Sequence, residues 1–197
     1  DVDDEFEQRE NELEDGNQKY VDEYLEMCKQ FSKKDLSKTE NYEEVCKEFD
    51  IDSLIDHYAV GIYLGTSDWP TRNTGLWKYV GDTKEPKTKY EDGKWRFITY
   101  DLDYTMGKAL SKGGVDYDNF IHVERMKYVA PSNLFLALTK NKDFQEKFAN
   151  VICDYVNEVM KYSTINKMFN DYRNELIDLA ANSQVRWWGW SGNITKG

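Results

Sequence analysis

The sequence has little positive charge, few histidines and few cysteines, and each scarcity excludes a class of protein. Its 197 residues carry a formal net charge of −11. This charge argues against binding to the phosphate backbone of nucleic acids and to anionic lipid. Basic proteins and metal ions fit it better as partners. No apolar run reaches the length of about 18 residues that a transmembrane helix needs, so the sequence predicts no membrane span.

The cysteines and histidines indicate structural roles. Cys28, Cys46 and Cys153 are too few and too scattered for a disulfide framework or a paired-cysteine metal site. Cys28 and Cys153 fall in apolar helical stripes and are interpreted as small buried side chains, although a Cys28–Cys46 bridge stays open if the protein is secreted. His57 is predicted to be a satisfied core or boundary residue. His122 falls in an irregular stretch after the glycines, where a substrate could pass, although a functional role is not favoured.

The N-terminal segment is strongly acidic. Residues 1–15 hold nine acidic side chains and one basic one, Arg9. Such a block is typical of a solvated linker, so residues 1–16 are predicted to be an acidic linker or hinge and residues 17–197 one lobe. The first residue is Asp1 rather than methionine, and we therefore expect a chain processed or cut from a longer protein.

The apolar pattern predicts a mostly helical α+β fold. Apolar residues recur at helical spacing through most of the chain, whereas two segments are rich in aromatic and branched residues and read as a β-hairpin with a long loop. The predicted helices lie over Tyr20–Phe31, through Val45 and Phe49, from a cap at Asp52 or Ser53 to Gly65, from Pro131 and Asn133 onwards, and from a cap at Ser163. The predicted strands are Leu76–Val80 and Trp95–Tyr100.

Chemistry-bearing residues concentrate between 65 and 107. A buried helix leads into a loop with Asp68 and Asn73, the hairpin follows, and Asp101 and Asp103 come directly after its second strand. Protein kinases use the same order: a catalytic aspartate, an asparagine five residues later that binds Mg²⁺, a hairpin and a metal-binding aspartate. Either motif alone is typical of turn residues that bond their own backbone. Their joint order favours a kinase-like site.

The residue types suit phosphoryl transfer. This reaction needs hard oxygen ligands for Mg²⁺ and a carboxylate that orients the attacking hydroxyl. Asp68 fits the second task, and Asn73 and Asp101 fit the first. A turn after Asp101 would let Asp103 join the metal site. Arg72 is a candidate phosphate contact or a surface ion-pair partner.

The sequence around the second strand resembles a family signature. From Trp95 to Gly107 it is similar to the spore coat protein H (CotH) kinase family, in which a tryptophan and a strand lead to a Pro-Trp-Asp-x-Asp turn and a glycine. Thr99-Tyr100 stands here in place of Pro-Trp. The resemblance extends over residues 52–160. Other segments that fit the family are Asp68 with Asn73, Asn133-Leu134-Phe135 and Lys142-Asp143-Phe144.

The resemblance implies a protein-kinase-like C-lobe that phosphorylates Ser or Thr of proteins with Mg²⁺ and ATP as cofactors. It implies Asp68 as the catalytic aspartate, Asn73 and Asp101 as Mg²⁺ ligands, and Asp103 as an accessory ligand or anchor. A Ser-rich or basic protein substrate and an extracellular, cell-surface or spore-coat location are expected. The sequence has no Gly-rich loop and no lysine strand before a helical glutamate, so the N-lobe is expected upstream and the chain alone is expected to bind ATP weakly.

Two other functions compete with this one. A glycosidase would also use paired carboxylates and could stack sugars on tryptophans, but it gives no reason for Asn73 at its spacing. A noncatalytic pseudokinase or surface or coat scaffold module would not need Asp68, Asn73 and Asp101 together.

The aromatic run Arg186–Trp190 is interpreted as docking onto the lobe, with a ligand or partner surface as the alternative.

Overall fold

The computed structural model describes residues 13–107 and 117–188. These residues form seven α-helices, one π-helical turn and one two-stranded antiparallel sheet, a mostly helical arrangement compatible with the predicted α+β class. The elements are α1 (Gln18–Ser32), α2 (Thr39–Glu48), α3 (Ile51–Leu64), β1 (Thr74–Lys78), β2 (Trp95–Thr99), α4 (Asn119–Arg125), α5 (Ala130–Leu138), α6 (Lys142–Asp154), a π-helical turn (Tyr155–Val159) and α7 (Tyr162–Trp188).

The chain divides into two compact units after Ile152. The first unit contains α1 to α5, the sheet and most of α6, and the second contains the π-helical turn and α7. The predicted acidic linker lies mostly outside the described residues. So does the end of the aromatic run beyond residue 188, and its predicted docking therefore stays a prediction.

Helix α3 leads directly to the predicted site, and its two ends have clear causes. It begins after Asp50, whose side-chain oxygen accepts from the Ser53 backbone N–H at 3.2 Å. The predicted caps Asp52 and Ser53 were therefore wrong, because Asp50 also pairs with a distant arginine that local sequence does not reveal. Gly65 ends the helix as predicted, with a left-handed φ of 65° that glycine adopts without steric cost.

The hairpin connects the loop after α3 to the segment that carries Asp101 and Asp103. Thr74 of β1 pairs with Thr99 of β2, and the register runs to Lys78 opposite Trp95. The first strand therefore begins two residues earlier than predicted. The backbone N–H of Asp50 donates to the Trp95 carbonyl at 2.9 Å, which ties β2 to the start of α3.

Arg96 fixes the hairpin against α3. Its guanidinium is almost fully buried and donates to the carboxylates of Asp50 and Asp92, at 2.9 Å each. It also lies near the rings of Trp77 and Tyr90, at 5.4 and 5.3 Å from their centroids. A planar, permanently charged fork can satisfy two carboxylates and stack on aromatic rings at once. The long loop of the hairpin is thereby folded around one side chain.

The core of the first unit is aromatic. Tyr58 of α3 is completely buried and stacks on Phe135 of α5, with ring centroids 4.0 Å apart and planes within 5°. Tyr24 of α1 packs on Trp95 of β2 at 5.2 Å. Asn141 is buried, donates to the Leu36 carbonyl and caps α6 through its side-chain oxygen. Elements distant in sequence thus pack together in this core.

The three cysteines are free thiols. Cys28 is buried, as predicted, and burial raises the pKa of its thiol to about 12. Cys153 is exposed, so its interpretation as a buried side chain was wrong. It lies where α6 gives way to the π-helical turn, and the regular helical spacing on which the interpretation depended ends there.

Two further helix boundaries differ from the sequence prediction. Helix α4 was not among the predicted helices. Its start is stabilised by the Asp118 carboxylate, which accepts from the backbone N–H groups of Phe120 and Ile121. Helix α7 begins at Tyr162, so Ser163 lies inside its first turn and is not the cap. Within the described parts of the chain, no helix has the length and apolar content to cross a membrane.

Candidate active site

Asp68 and Asn73 meet in the loop between α3 and β1. The side-chain N–H of Asn73 donates to Oδ2 of Asp68 at 2.9 Å, and both residues are half-buried. The hydroxyl of Thr74 donates to the Pro70 carbonyl at 3.2 Å, a contact within the same loop. The Trp69–Pro70 peptide bond is cis. The five-residue spacing therefore places the carboxylate and the amide in direct contact.

The other carboxylate oxygen of Asp68, Oδ1, has a different environment. Oδ1 is buried and has no hydrogen-bond partner within the part of the chain that the structure describes. A buried carboxylate oxygen without a donor is unfavourable, because the lost hydration is not replaced. A hydroxyl group supplied by a ligand would give this atom the donor that it lacks.

The segment after β2 lies beside this loop. The backbone N–H of Ser67 donates to the Tyr104 carbonyl at 3.0 Å, and that of Met106 donates to the Leu64 carbonyl at 2.8 Å. Ser67 directly precedes Asp68, and Tyr104 directly follows the Asp-x-Asp motif. The backbone therefore brings the two motifs that the sequence singled out to the same end of the hairpin.

Asn73 and Asp101 both lie just outside the terminal strand pair, at the open end of the hairpin. Asn73 precedes the pair Thr74–Thr99 by one residue, and Asp101 follows it by two. Both have left-handed backbone, with φ of 56° and 52°. Asn and Asp adopt this conformation more readily than most residues, which gives a local reason for these residue types. The side chains of Asp101 and Asp103 are exposed.

Metal binding by the predicted ligands stays a prediction. Among residues 13–107 and 117–188 there is no group of three or more His, Cys, Asp or Glu side chains placed to hold a metal ion. Mg²⁺ is usually held by one or two carboxylates together with substrate phosphates and water, rather than by a complete protein cage. The predicted set of Asn73, Asp101 and Asp103 agrees with that open kind of site.

His57 of α3 contacts the loop that carries Asp68. The indole N–H of Trp69 donates to Nε2 of His57 at 2.7 Å, and Nδ1 of His57 lies 3.2 Å from the Thr99 hydroxyl. An indole nitrogen can only donate, so Nε2 accepts and the neutral ring carries its proton on Nδ1. Burial lowers the pKa of His57 to about 4. The prediction that His57 is a satisfied core residue is confirmed.

Trp69 is held from a second side by His122. Nε2 of His122 donates to the Trp69 carbonyl, and the imidazole is buried, which agrees with a structural role. The indole lies directly on α3, where a Cβ atom added at Gly61 would come within 2.9 Å of three ring carbons. The residue after Asp68 is therefore fixed through its indole nitrogen, its ring face and its carbonyl.

Sequence reasoning missed this arrangement around Trp69. The His57 and His122 contacts join residues 12 and 53 positions apart, so no local pattern could reveal them. The nearest signal was a glycine in the middle of an apolar helix, which often marks a close approach of another group. Arg72, the predicted phosphate contact or ion-pair partner, is exposed beside Asn73.

The family model described as CotH kinase protein matches residues 1–195, nearly the whole chain. No curated protein and no solved structure matches it.

Proposed function

Since the chain belongs to the CotH kinase family, we propose that it transfers the γ-phosphoryl group of ATP to a Ser or Thr hydroxyl of a protein. In this proposal residues 17–197 form a protein-kinase-like C-lobe, and residues 1–16 form an acidic linker. One observation carries most weight: Asn73 holds one oxygen of Asp68, while the other oxygen is buried with no donor from the described residues. That arrangement suits a carboxylate that receives a hydroxyl group from a substrate.

Asp68 acts as the catalytic aspartate. Its Oδ1 accepts a hydrogen bond from the acceptor hydroxyl and so directs the hydroxyl oxygen toward the γ-phosphorus. As the new O–P bond forms, the bond from the γ-phosphorus to the β–γ bridging oxygen breaks and ADP departs with that electron pair. The hydroxyl proton passes to Asp68 and then to water.

Asn73, Asp101 and Asp103 would hold Mg²⁺, and the ion supplies charge neutralisation for the phosphates when bound. The use of an asparagine at position 73 follows from its two functional atoms. Its Nδ2 donates to Asp68, which leaves the amide oxygen for a cation. An aspartate at this position would place a second negative charge against Asp68 and could not donate.

The substrate and the location are proposed from the net charge and from the family resemblance. A net charge of −11 favours a basic protein acceptor, and phosphoryl transfer to hydroxyls favours a Ser-rich one. The resemblance to spore coat protein H supports an extracellular, cell-surface or spore-coat location.

The test is transfer of label from radiolabelled ATP to a Ser-rich basic protein by the natural protein that carries this chain. We expect transfer that requires Mg²⁺ and that falls by at least about 10²-fold in Asp68→Asn, since a positioned acid–base group contributes about 10²–10⁴-fold. The exposed Asp154, in helix α6, provides the matched control as Asp154→Asn, which should transfer normally. Binding of ATP without transfer would support the pseudokinase or scaffold alternative instead. Transfer that persists in Asp68→Asn would contradict the assigned role.

A further inference from the structure

We propose that His57 is a positioning residue that holds the loop with Asp68 in register with the strand that leads to Asp101, through the two nitrogens of one imidazole ring. The inference rests on the proposed function for the reaction that occurs at the site. Its structural basis is the set of contacts that His57 makes with Trp69, Thr74 and Thr99.

Two of these contacts reach residues that directly follow predicted site residues. Trp69 directly follows Asp68, and its indole donates to Nε2 at 2.7 Å. Thr74 directly follows Asn73, and its hydroxyl lies 3.4 Å from the same nitrogen. Because the single lone pair of Nε2 accepts from Trp69 and the Thr74 hydroxyl donates to the Pro70 carbonyl, the Thr74 contact is one of packing, and the hydrogen bond of the ring holds the loop at its Asp68 end.

The other ring nitrogen reaches the opposite strand. Nδ1 lies 3.2 Å from the hydroxyl of Thr99, two residues before Asp101. Because Nε2 must accept from the indole, Nδ1 carries the proton and donates to this hydroxyl. The ring thus connects the loop to the strand that leads to the Asp-x-Asp motif, from a rigid position on α3.

The environment of the ring excludes direct contact with a substrate. His57 is 2% exposed and packs against the rings of Trp69, Tyr58 and Phe97, at 5.5, 5.7 and 5.4 Å between centroids. An apolar ring would fill this volume as well but could not accept from Trp69 or donate to Thr99. The polar atoms therefore serve orientation, and small errors of orientation matter because a shift of about 1 Å can cost about 10²-fold in rate.

The first test reads the tautomer of His57 in the full chain. With histidine labelled with ¹⁵N and only two histidines present, both imidazoles can be assigned by NMR. We expect His57 as the neutral Nδ1–H tautomer, and a shift of its Nε2 resonance in Trp69→Phe, which removes the donor. His122 serves as the internal reference, with Nε2–H donating to a carbonyl. A His57 ring protonated on Nε2 would overturn the inference.

The second test compares His57→Phe, which keeps a ring but no acceptor, with His57→Gln, whose amide can accept and donate. We expect His57→Phe to shift the Asn73 side-chain amide resonances and to lower kcat by about 10²-fold, with KM for ATP changed less than about threefold. His57→Gln should recover most of both effects. If His57→Phe fails to fold, Trp69→Phe takes its place in both measurements.

The outcomes separate this inference from the proposed function. A lower thermal midpoint with unchanged kcat per folded molecule would mean a merely structural His57 and would overturn the inference. Normal transfer by wild type with no effect of His57→Phe on kcat or on Asn73 would do the same. Absence of transfer by wild type, with the expected tautomer and Asn73 shifts, would contradict the proposed function and leave His57 as the residue that positions the Asp68–Asn73 pair.

Discussion

The side-chain amide of Asn73 donates to Oδ2 of Asp68 at 2.9 Å. The bond determines which oxygen of Asp68 is engaged and which one lacks a donor within the described residues. It also uses the nitrogen of Asn73 and leaves its oxygen for another ligand. One hydrogen bond therefore determines which oxygen of Asp68 and which atom of Asn73 can contact a ligand.

Asn73→Asp should disrupt this pair. Aspartate tolerates the left-handed backbone at this position, where φ is 56°, so the backbone is preserved. The new carboxylate cannot donate and repels Asp68, and we expect the free energy of unfolding to fall by about 1–3 kcal/mol at neutral pH. Transfer activity should be lost. Chemical denaturation of the variant and of wild type at neutral pH and at pH 4 checks the charge effect, since the difference in stability between the two proteins should be smaller at pH 4.

The reversed pair is the control for that experiment. Asp68→Asn combined with Asn73→Asp keeps one amide and one carboxylate in contact, so stability should return toward wild type while transfer stays absent. Equal stabilities of Asn73→Asp and the double variant would show that the contact contributes nothing.

Gly61→Ala should destabilise the protein, although alanine is normally the better residue in a helix. A Cβ atom at Gly61 would lie 2.9 Å from the indole of Trp69, closer than carbon atoms pack. Overpacking costs about 1–3 kcal/mol, which exceeds the gain of about 1 kcal/mol in helix propensity. We expect a net loss of up to about 2 kcal/mol in the free energy of unfolding, measured by chemical denaturation.

The background variant Trp69→Ala removes the ring that the new methyl group would meet. In that background Gly61→Ala should be stabilising, because only the propensity term is left. The same sign in both backgrounds would mean that Trp69 does not pack on Gly61 as described.

The buried His57 predicts a pH dependence of stability. Burial lowers its pKa from 6.5 to about 4, so between these values the unfolded chain binds a proton that the folded chain does not. The stability that His57 contributes is complete above pH 6.5 and is lost as the pH falls toward 4. The contribution to the slope is at most about 1.4 kcal/mol per pH unit.

His57→Gln does not titrate and is the reference for this slope. We expect the wild-type free energy of unfolding to fall more steeply than that of His57→Gln between pH 6.5 and 4. Carboxylates that titrate at low pH are common to both proteins and cancel in the difference. Parallel pH dependences would contradict the assignment of a neutral, buried His57.

The sequence was most informative where chemistry and periodicity were local. Apolar spacing predicted α1, the buried helix that ends at Gly65, and the hairpin, because each of these patterns reports on its own segment. The order of Asp68, Asn73 and Asp101 around a hairpin predicted the candidate site, and the match to the CotH kinase family confirms the family.

What the sequence did not reveal depends on distant partners. Asp50 became the cap of α3 because Arg96, 46 residues away, also binds it. Likewise Trp69 gave no local sign that two histidines and a glycine hold it in place. Such contacts form only when separate elements pack together, so they cannot be predicted from local propensity or motif spacing.

The most direct measurement of the central claim is phosphoryl transfer by Asp101→Asn in the natural protein that carries this chain. Asparagine fits the left-handed backbone at position 101, where φ is 52°, so we expect the variant to fold. Mg²⁺-dependent transfer to a Ser-rich protein should be abolished. Near-normal transfer would contradict the metal-binding role of Asp101, and an unfolded variant would show that its carboxylate is structural.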